Sequence, residues 1–558
     1  MRADPGHRSG PRRALRLGEG VLVGAAATVF VLAAMDARAG SAAIEALPPP
    51  AYAEETATAG LDHVYGGEHS FVGGGVAAFD CDGDGRPELY LAGGAAPSGL
   101  YRNDSEIGGA LRFTHLPDPA TDLTDVTGAY PLDLDGDGHT DLAVLRVGEN
   151  VLLRGLGDCR FERANEALGF DGGQAWTTAF SATWEGDAPL PTLAFGNYLD
   201  PDDHERATCT DNVLIRPSGE DATYAAPVAL APGWCSLSLL FSDWDRSGRR
   251  DLRVSNDRHY HRDGQEQLWR VDTPGSDPEP YTLDDGWQPL RIWGMGIASH
   301  DLTGDGRPEV FLTSQGDNKL QTLADGGATP HFRDIAIERG VTSHRPHIGD
   351  DVRPSTSWHP EFQDVNNDGF VDLFVTKGNV DQMPDFAHED PSSLLLGQED
   401  GTFVEVADPA GIRSFGRGRG AAVVDLNLDG WLDVVEVNRG EDVRIWRNVG
   451  TAGDADAAAM GNHASVRLQQ DGPNRDAIGA WLEVRTGDRT TWRELTVGGG
   501  HAGGQLGWIH LGFGAADRVN LRVHWPDGEV GPSLDVPAGS RGTVERGATA
   551  LRRWELDP

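Results

Sequence analysis

Asp133-Leu134-Asp135-Gly136-Asp137-Gly138-His139-Thr140-Asp141 recurs in close variants along most of this chain. Further copies begin at Asp80 (DCDGDGRPE), Asp243 (DWDRSGRRD), Asp301 (DLTGDGRPE), Asp364 (DVNNDGFVD) and Asp425 (DLNLDGWLD), each with an apolar run before and after it. Every copy therefore sits between two strands. The starts lie 53, 110, 58, 63 and 61 residues apart, so the second interval spans two periods. A degenerate unit fills it: the segment WEGDAPLPT from Trp184 to Thr192, followed by LAFGNY, keeps the turn and the second strand but loses the ligands. Seven units of roughly 50 to 60 residues, with about four short strands each, have the size of propeller blades. The expectation is an all-β chain: a seven-bladed β-propeller over residues 52–450, then a smaller sandwich-like β domain.

The spacing of oxygens carries the chemistry. Side chains at positions 1, 3, 5 and 9 with a backbone carbonyl at 7 wrap a hard cation, and glycine at 6 allows the sharp turn. Calcium at up to six loops is the expected cofactor. The candidate ligands are Asp80, Asp82, Asp84 and Glu88; Asp133, Asp135, Asp137 and Asp141; Asp243, Asp245, Ser247 and Asp251; Asp301, Thr303, Asp305 and Glu309; Asp364, Asn366, Asp368 and Asp372; and Asp425, Asn427, Asp429 and Asp433. Binding is expected to be firmest at Asp80 and Asp133, where four carboxylates converge, and weakest at Asp243, where Ser247 replaces an acid. An EF-hand needs a bidentate glutamate at position 12 and flanking helices. Here position 12 is Leu91, Val144, Val254, Leu312 and Val375, with Glu436 the one exception, and the flanks alternate like strands.

Residues 1–39 combine an arginine-rich start, an apolar run from Val21 to Met35 and Ala37-Arg-Ala39, the pattern of a secretory signal or an uncleaved N-terminal anchor. No other segment is apolar enough to span a membrane. Residues 40–51 read as a linker. A secreted, periplasmic or cell-surface location follows, and the four cysteines suit it. Cys209 and Cys235 flank a long insertion and are placed to pin it, whereas Cys81 and Cys159 lie in neighbouring units and need not meet. The formal charge of −40 argues against nucleic acid and anionic membrane partners.

Residues 451–462 form a compositional break. From 463 to 547 the acidic loop is absent and strand-like alternation returns, with a tail over 548–558. One further pattern concerns the ends of the ring. Tyr52-Ala-Glu54-Glu-Thr56-Ala-Thr-Ala-Gly60-Leu61 matches Phe403-Val-Glu405-Val-Ala407-Asp-Pro-Ala-Gly411-Ile412, a fourth-strand segment, yet it precedes the first acidic loop, while the seventh unit lacks a fourth strand. Residues 52–56 are therefore expected to supply the outer strand of the last blade.

The acidic loops before LYL, LAV, LRV, VFL, LFV and VVE resemble the FG-GAP/VCBS repeats of integrin-α-type propellers, and the stretch from Gly472 to Gly528 resembles the ASPIC/UnbV domain. Together they resemble the cartilage acidic protein 1 (CRTAC) family. The resemblance implies extracellular calcium binding and a role in adhesion or interaction, with an unidentified protein or glycan as partner. The Trp184 loop, Ser247 and Thr303 depart from the pattern. The alternative is an extracellular polysaccharide lyase or hydrolase on a calcium-stabilised propeller. Its candidate stretch is His344, His347, Asp350, Asp351 and Arg353, continued by His359, with His501 in GGGHAGG as a further histidine. A third option makes the C-terminal domain the docking element of a surface assembly. No nucleophile elbow, phosphate loop or dinucleotide fingerprint is present.

Overall fold

The computed structural model describes residues 48–554 apart from 204–207, 220–221, 258–263, 272–275, 325, 328, 343–352 and 452–459. The expected signal segment, 1–39, and residues 40–47 lie outside the described residues.

Each acidic loop is a hairpin turn between the first and second strands of a four-stranded antiparallel sheet. In blade 2, strand Val126–Leu132 pairs with Asp141–Arg146, which pairs with Val151–Gly155 and then with Phe161–Arg163. The residue before position 1 faces the acid at position 9 in all six blades: Phe79 opposite Glu88, Leu132 opposite Asp141, Ser242 opposite Asp251, His300 opposite Glu309, Gln363 opposite Asp372 and Val424 opposite Asp433. Blade 3 keeps the same order with strands Thr177–Thr183, Thr192–Asn197, Asn212–Ile215 and Val228–Leu230. Strands Val126–Leu132, Thr177–Thr183 and Ser236–Ser242 are buried along their whole length, because each blade packs between two others and has no solvent face. That is why these runs read as nearly continuous apolar or small residues.

Seven inner strands touch in sequence around a closed ring, from Val76–Phe79 of blade 1 to Gly418–Val424 of blade 7 and back. The N-terminus closes it. Strand Pro50–Glu54 pairs antiparallel with Arg444–Thr451, placing Tyr52 opposite Asn448 and Glu54 opposite Trp446. The strand is two residues earlier than the sequence suggested, because Thr56–Ala59 forms a helical turn ended by left-handed Gly60 (φ 84°). Blades 5 and 6 end alike, with Ala336–Arg339 before Gly340 and Ala407–Ala410 before Gly411. A Cβ on Gly60, Gly340 or Gly411 would meet the carbonyl oxygen of Phe113, Phe403 or Tyr52 respectively, so Tyr52 occupies the place that phenylalanine holds in other outer strands.

Both cysteine pairs are disulfides. Cys209–Cys235 pins the insertion, and Cys81–Cys159 ties the blade 1 loop to the turn between the third and fourth strands of blade 2.

The C-terminal domain is a sandwich of two four-stranded sheets around Val466, Leu482, Leu521, Val523, Trp525 and Val544. Two boundaries shift. Strand Arg552–Arg553 pairs with Arg541–Glu545 and Trp554 meets Trp508 edge to face, so the domain continues into the expected tail as far as Trp554. Thr451 still belongs to blade 7, and Gly461 already donates to Asn366 O at 3.0 Å, which shortens the expected linker from both sides.

Between its sheets the sandwich sends an arm, residues 497–506, into the centre of the ring. Val497, Gly498, Gly500 and Gly503 bridge Ala182, Leu240, Ile297 and Ala129 of blades 3, 4, 5 and 2, and strand Gly504–Leu506 runs parallel to Val76–Phe79 of blade 1. Such close approach needs bare backbone. A Cβ on Gly75 or Gly128 would lie 1.7 or 1.8 Å from Ala502 O, and Gly498, Gly499 and Gly500 all have positive φ.

Acidic loops beneath the C-terminal domain

Each loop is organised by its first aspartate, which turns inward to cap its own backbone. Asp133 Oδ1 accepts from Gly136 N at 2.8 Å and Oδ2 from Gly138 N at 3.0 Å. The glycine at position 6 also donates to the first aspartate in the other five loops: Gly85 to Asp80, Gly248 to Asp243, Gly306 to Asp301, Gly369 to Asp364 and Gly430 to Asp425. The acid at position 9 accepts from the amide at position 2 in five of them, as Glu88 does from Cys81 N and Asp141 from Leu134 N. In blade 4 Asp251 Oδ2 instead accepts from Trp244 Nε1 at 2.9 Å and Tyr281 OH at 2.7 Å.

The donor set is all hard oxygen. Asp80, Asp82 and Glu88 each bring an oxygen within 4.8 Å of the others, and Asp133, Asp135 and Asp141 do the same. Cys81 and Cys159 also lie against Glu88, but their disulfide leaves no thiolate for a softer metal. Gathering acids raises their proton affinity. Burial, with Asp82 and Asp80 adding, pushes Glu88 up to about 9, and burial with Asp135 and Asp133 pushes Asp141 up to about 8. Asp372 and Asp433 rise well above the carboxylate range from burial and from the acids at positions 1 and 5. These sets fit a hard dication, which would offset the mutual repulsion that burial strengthens.

Two of the three departing loops, those of blades 3 and 4, are balanced differently. In blade 3, Glu185 accepts from Arg216 Nε at 2.8 Å and from Thr192 Oγ1 at 2.6 Å, so a guanidinium neutralises this acid. In blade 4, Arg249 Nε reaches Ser247 Oγ at 3.2 Å and its Nη2 lies 3.6 Å from Asp245, while Arg246 stacks on Trp481 at 4.0 Å.

All six acidic loops abut the sandwich. Trp508 Nε1 donates to Gly85 O, Gly136 lies against Pro473, Arg250 donates to Gly479 O, Gly304 meets Thr490 O, Arg489 donates to Gly369 O and Gly430 lies against His463. The ligand-poor blade 3 loop differs, since nothing lies within 4 Å of a Cβ on Gly186. Sequence reasoning missed these partners because they fall at no fixed spacing from the loops.

The histidines do not assemble as catalytic groups among the described residues. His344, His347, Asp350 and Asp351 lie outside them. His359 is 3% exposed, and its Nδ1 accepts from His501 N at 3.0 Å. His501 is fully buried at the tip of the arm, where its Nε2 accepts from Gly73 N at 3.1 Å. Burial, then Arg419 and His359, hold it near 3, so the ring is neutral. The glycines of GGGHAGG bring backbone close to the propeller's inner strands.

A family model for the FG-GAP-like repeat matches residues 80–144, 301–375 and 364–436, and one for ASPIC and UnbV matches 470–551. Cartilage acidic protein 1 of Mus musculus is 26% identical over 200 residues, which are 34% of this chain and 27% of that protein. The Homo sapiens protein is 26% identical over 200 residues, covering 34% of this chain and 26% of its own length. The matched part thus spans about a quarter of these relatives. Among solved structures, BBS1N in complex with ARL6DN superposes with a TM-score of 0.41 at 12% identity, over 73% of this chain and 98% of that one. No helix among the described residues is long and apolar enough to cross a membrane.

Proposed function

We propose, taking as premise a CRTAC-like chain that joins FG-GAP-like repeats to an ASPIC and UnbV domain, that this is a calcium-loaded extracellular binding module. The observation that carries this reading is the set of acidic hairpins: each is capped by its own backbone amides, and all lie on one face under one sandwich domain. Calcium here would be structural. The loops of blades 1, 2, 5, 6 and 7 would hold it through the carboxylates and amide oxygens at positions 1, 3, 5 and 9, with the Thr303 hydroxyl at position 3 of blade 5, while blade 4 carries its own arginines. The two disulfides support an oxidising compartment.

Topology supports a site of recognition on the face away from the sandwich. The sandwich covers the face of the acidic hairpins, so a protein or glycan partner is left the opposite face. The long second-to-third-strand connections, 198–203 with 208–211 in blade 3 and 378–392 in blade 6, emerge there. Elemental analysis after equilibration in millimolar calcium should find about five ions per chain, and fewer than three would overturn the reading. Glycan and protein arrays run with calcium and with chelator would then identify the partner. Turnover of a polysaccharide in the same assays would favour the lyase or hydrolase instead.

A further inference from the structure

The sandwich does not present the same charge to every loop. At blades 1 and 7, where the ring closes, it presents guanidinium groups. Arg467 Nη2 donates to Asp80 Oδ2 at 2.9 Å and Arg541 Nη2 to Asp425 Oδ2 at 2.5 Å, and both arginines stack on Trp508, at 4.0 and 5.5 Å. At blade 2 it presents a carboxylate, Asp476, beside the guanidinium of Arg475. The Pro473–Asp476 turn lies against the loop: a Cβ on Gly136 would be 3.1 Å from Pro473 Cα, and one on Gly138 would be 2.9 Å from Arg475 Cζ. Asp476 shares a cavity of about 550 Å³ with Asp80, Asp82, Asp133, Arg467 and Arg475.

We infer that the C-terminal domain grades the cation affinity of the propeller loops, with Asp476 strengthening the blade 2 site and Arg467 and Arg541 weakening the sites of blades 1 and 7. The inference rests on the calcium reading above and concerns its regulation. Coulomb's law supplies the sign: a dication gains from a further negative charge nearby and loses from a positive one, and both effects are strong where water is excluded. Docking of the domain is then linked to ion binding, and the linkage is reciprocal.

The test is titration of the calcium-free full chain with Ca²⁺ by calorimetry at low ionic strength. Asp137→Ala and Asp429→Ala mark which binding events belong to blades 2 and 7. Asp476→Asn should weaken the blade 2 event roughly tenfold, and Arg541→Met should tighten the blade 7 event roughly tenfold. Arg541→Lys, which keeps the charge, should stay within about twofold of the parent. If Arg541→Met does not fold, Arg467→Met reads the same effect at blade 1. A purely structural role moves Asp476→Asn and Arg541→Met in the same direction, and that result, or two unchanged affinities, overturns the inference. A parent chain that binds no calcium overturns the calcium reading itself.

Discussion

Gly128 has no room for a side chain, because a Cβ there would lie 1.8 Å from the Ala502 carbonyl oxygen. Gly128→Ala should therefore expel the arm and cost about 3 kcal/mol, the upper range for overpacking a core. Chemical denaturation measures this, and a loss below about 1 kcal/mol would show that the arm yields. His501 adds a pH dependence. Its ordinary value is 6.5 and burial holds it near 3, so between those values the unfolded chain takes a proton that the folded chain refuses. Stability from this group is complete above pH 6.5 and falls as the pH drops towards 3. In saturating calcium it should lose about 2 kcal/mol between pH 7 and pH 5. His501→Asn keeps an acceptor for Gly73 N without the titration, so it should flatten that part of the profile. An unchanged slope would remove His501 from the account.

Among the elements, the strand Pro50–Glu54 has the widest effect because it joins the two ends of the ring. Tyr52 is 7% exposed, its hydroxyl donates to Leu432 O at 3.2 Å, and Glu55 meets Arg447 at 2.9 Å just beyond the strand. Tyr52→Ala should cost about 4 kcal/mol, in the range for burying and losing a large aromatic side chain. Deleting residues 48–58 should lower the melting temperature of the whole propeller, since blade 7 would keep an exposed edge and the ring would open. A deletion variant that melts like the parent would mean that closure by this strand contributes little.

For the whole molecule, the arm and the six hairpins should make propeller and sandwich one cooperative unit. Calorimetry of the parent should show a single transition, and Gly128→Ala should split it. Ions that bind only the folded chain add RT ln(1 + [L]/Kd) each, about 2.7 kcal/mol at a hundred times Kd. Excess chelator should accordingly lower the melting temperature strongly, and Asp137→Ala should reproduce part of the loss. An unchanged melting temperature in chelator would contradict structural calcium.

How much was legible in the sequence follows from the range of each interaction. Hairpin loops repeat at fixed spacing because each acidic turn uses nine consecutive residues, so Asp133 to Asp141 and its copies announced the blades and the candidate ligands. The likeness of Tyr52–Leu61 to Phe403–Ile412 announced the closing strand, since outer strands must meet the same neighbours. The start of that strand was misplaced by two residues, because Pro50 carries no repeat signature while the helical turn after it does. The pairing of Cys81 with Cys159, the course of residues 497–506 through the ring and the reach of Arg467, Arg541 and Asp476 to the loops left no periodic trace. They join residues tens to hundreds of positions apart, and a contact of that kind is set by how two domains dock, which only the tertiary structure decides.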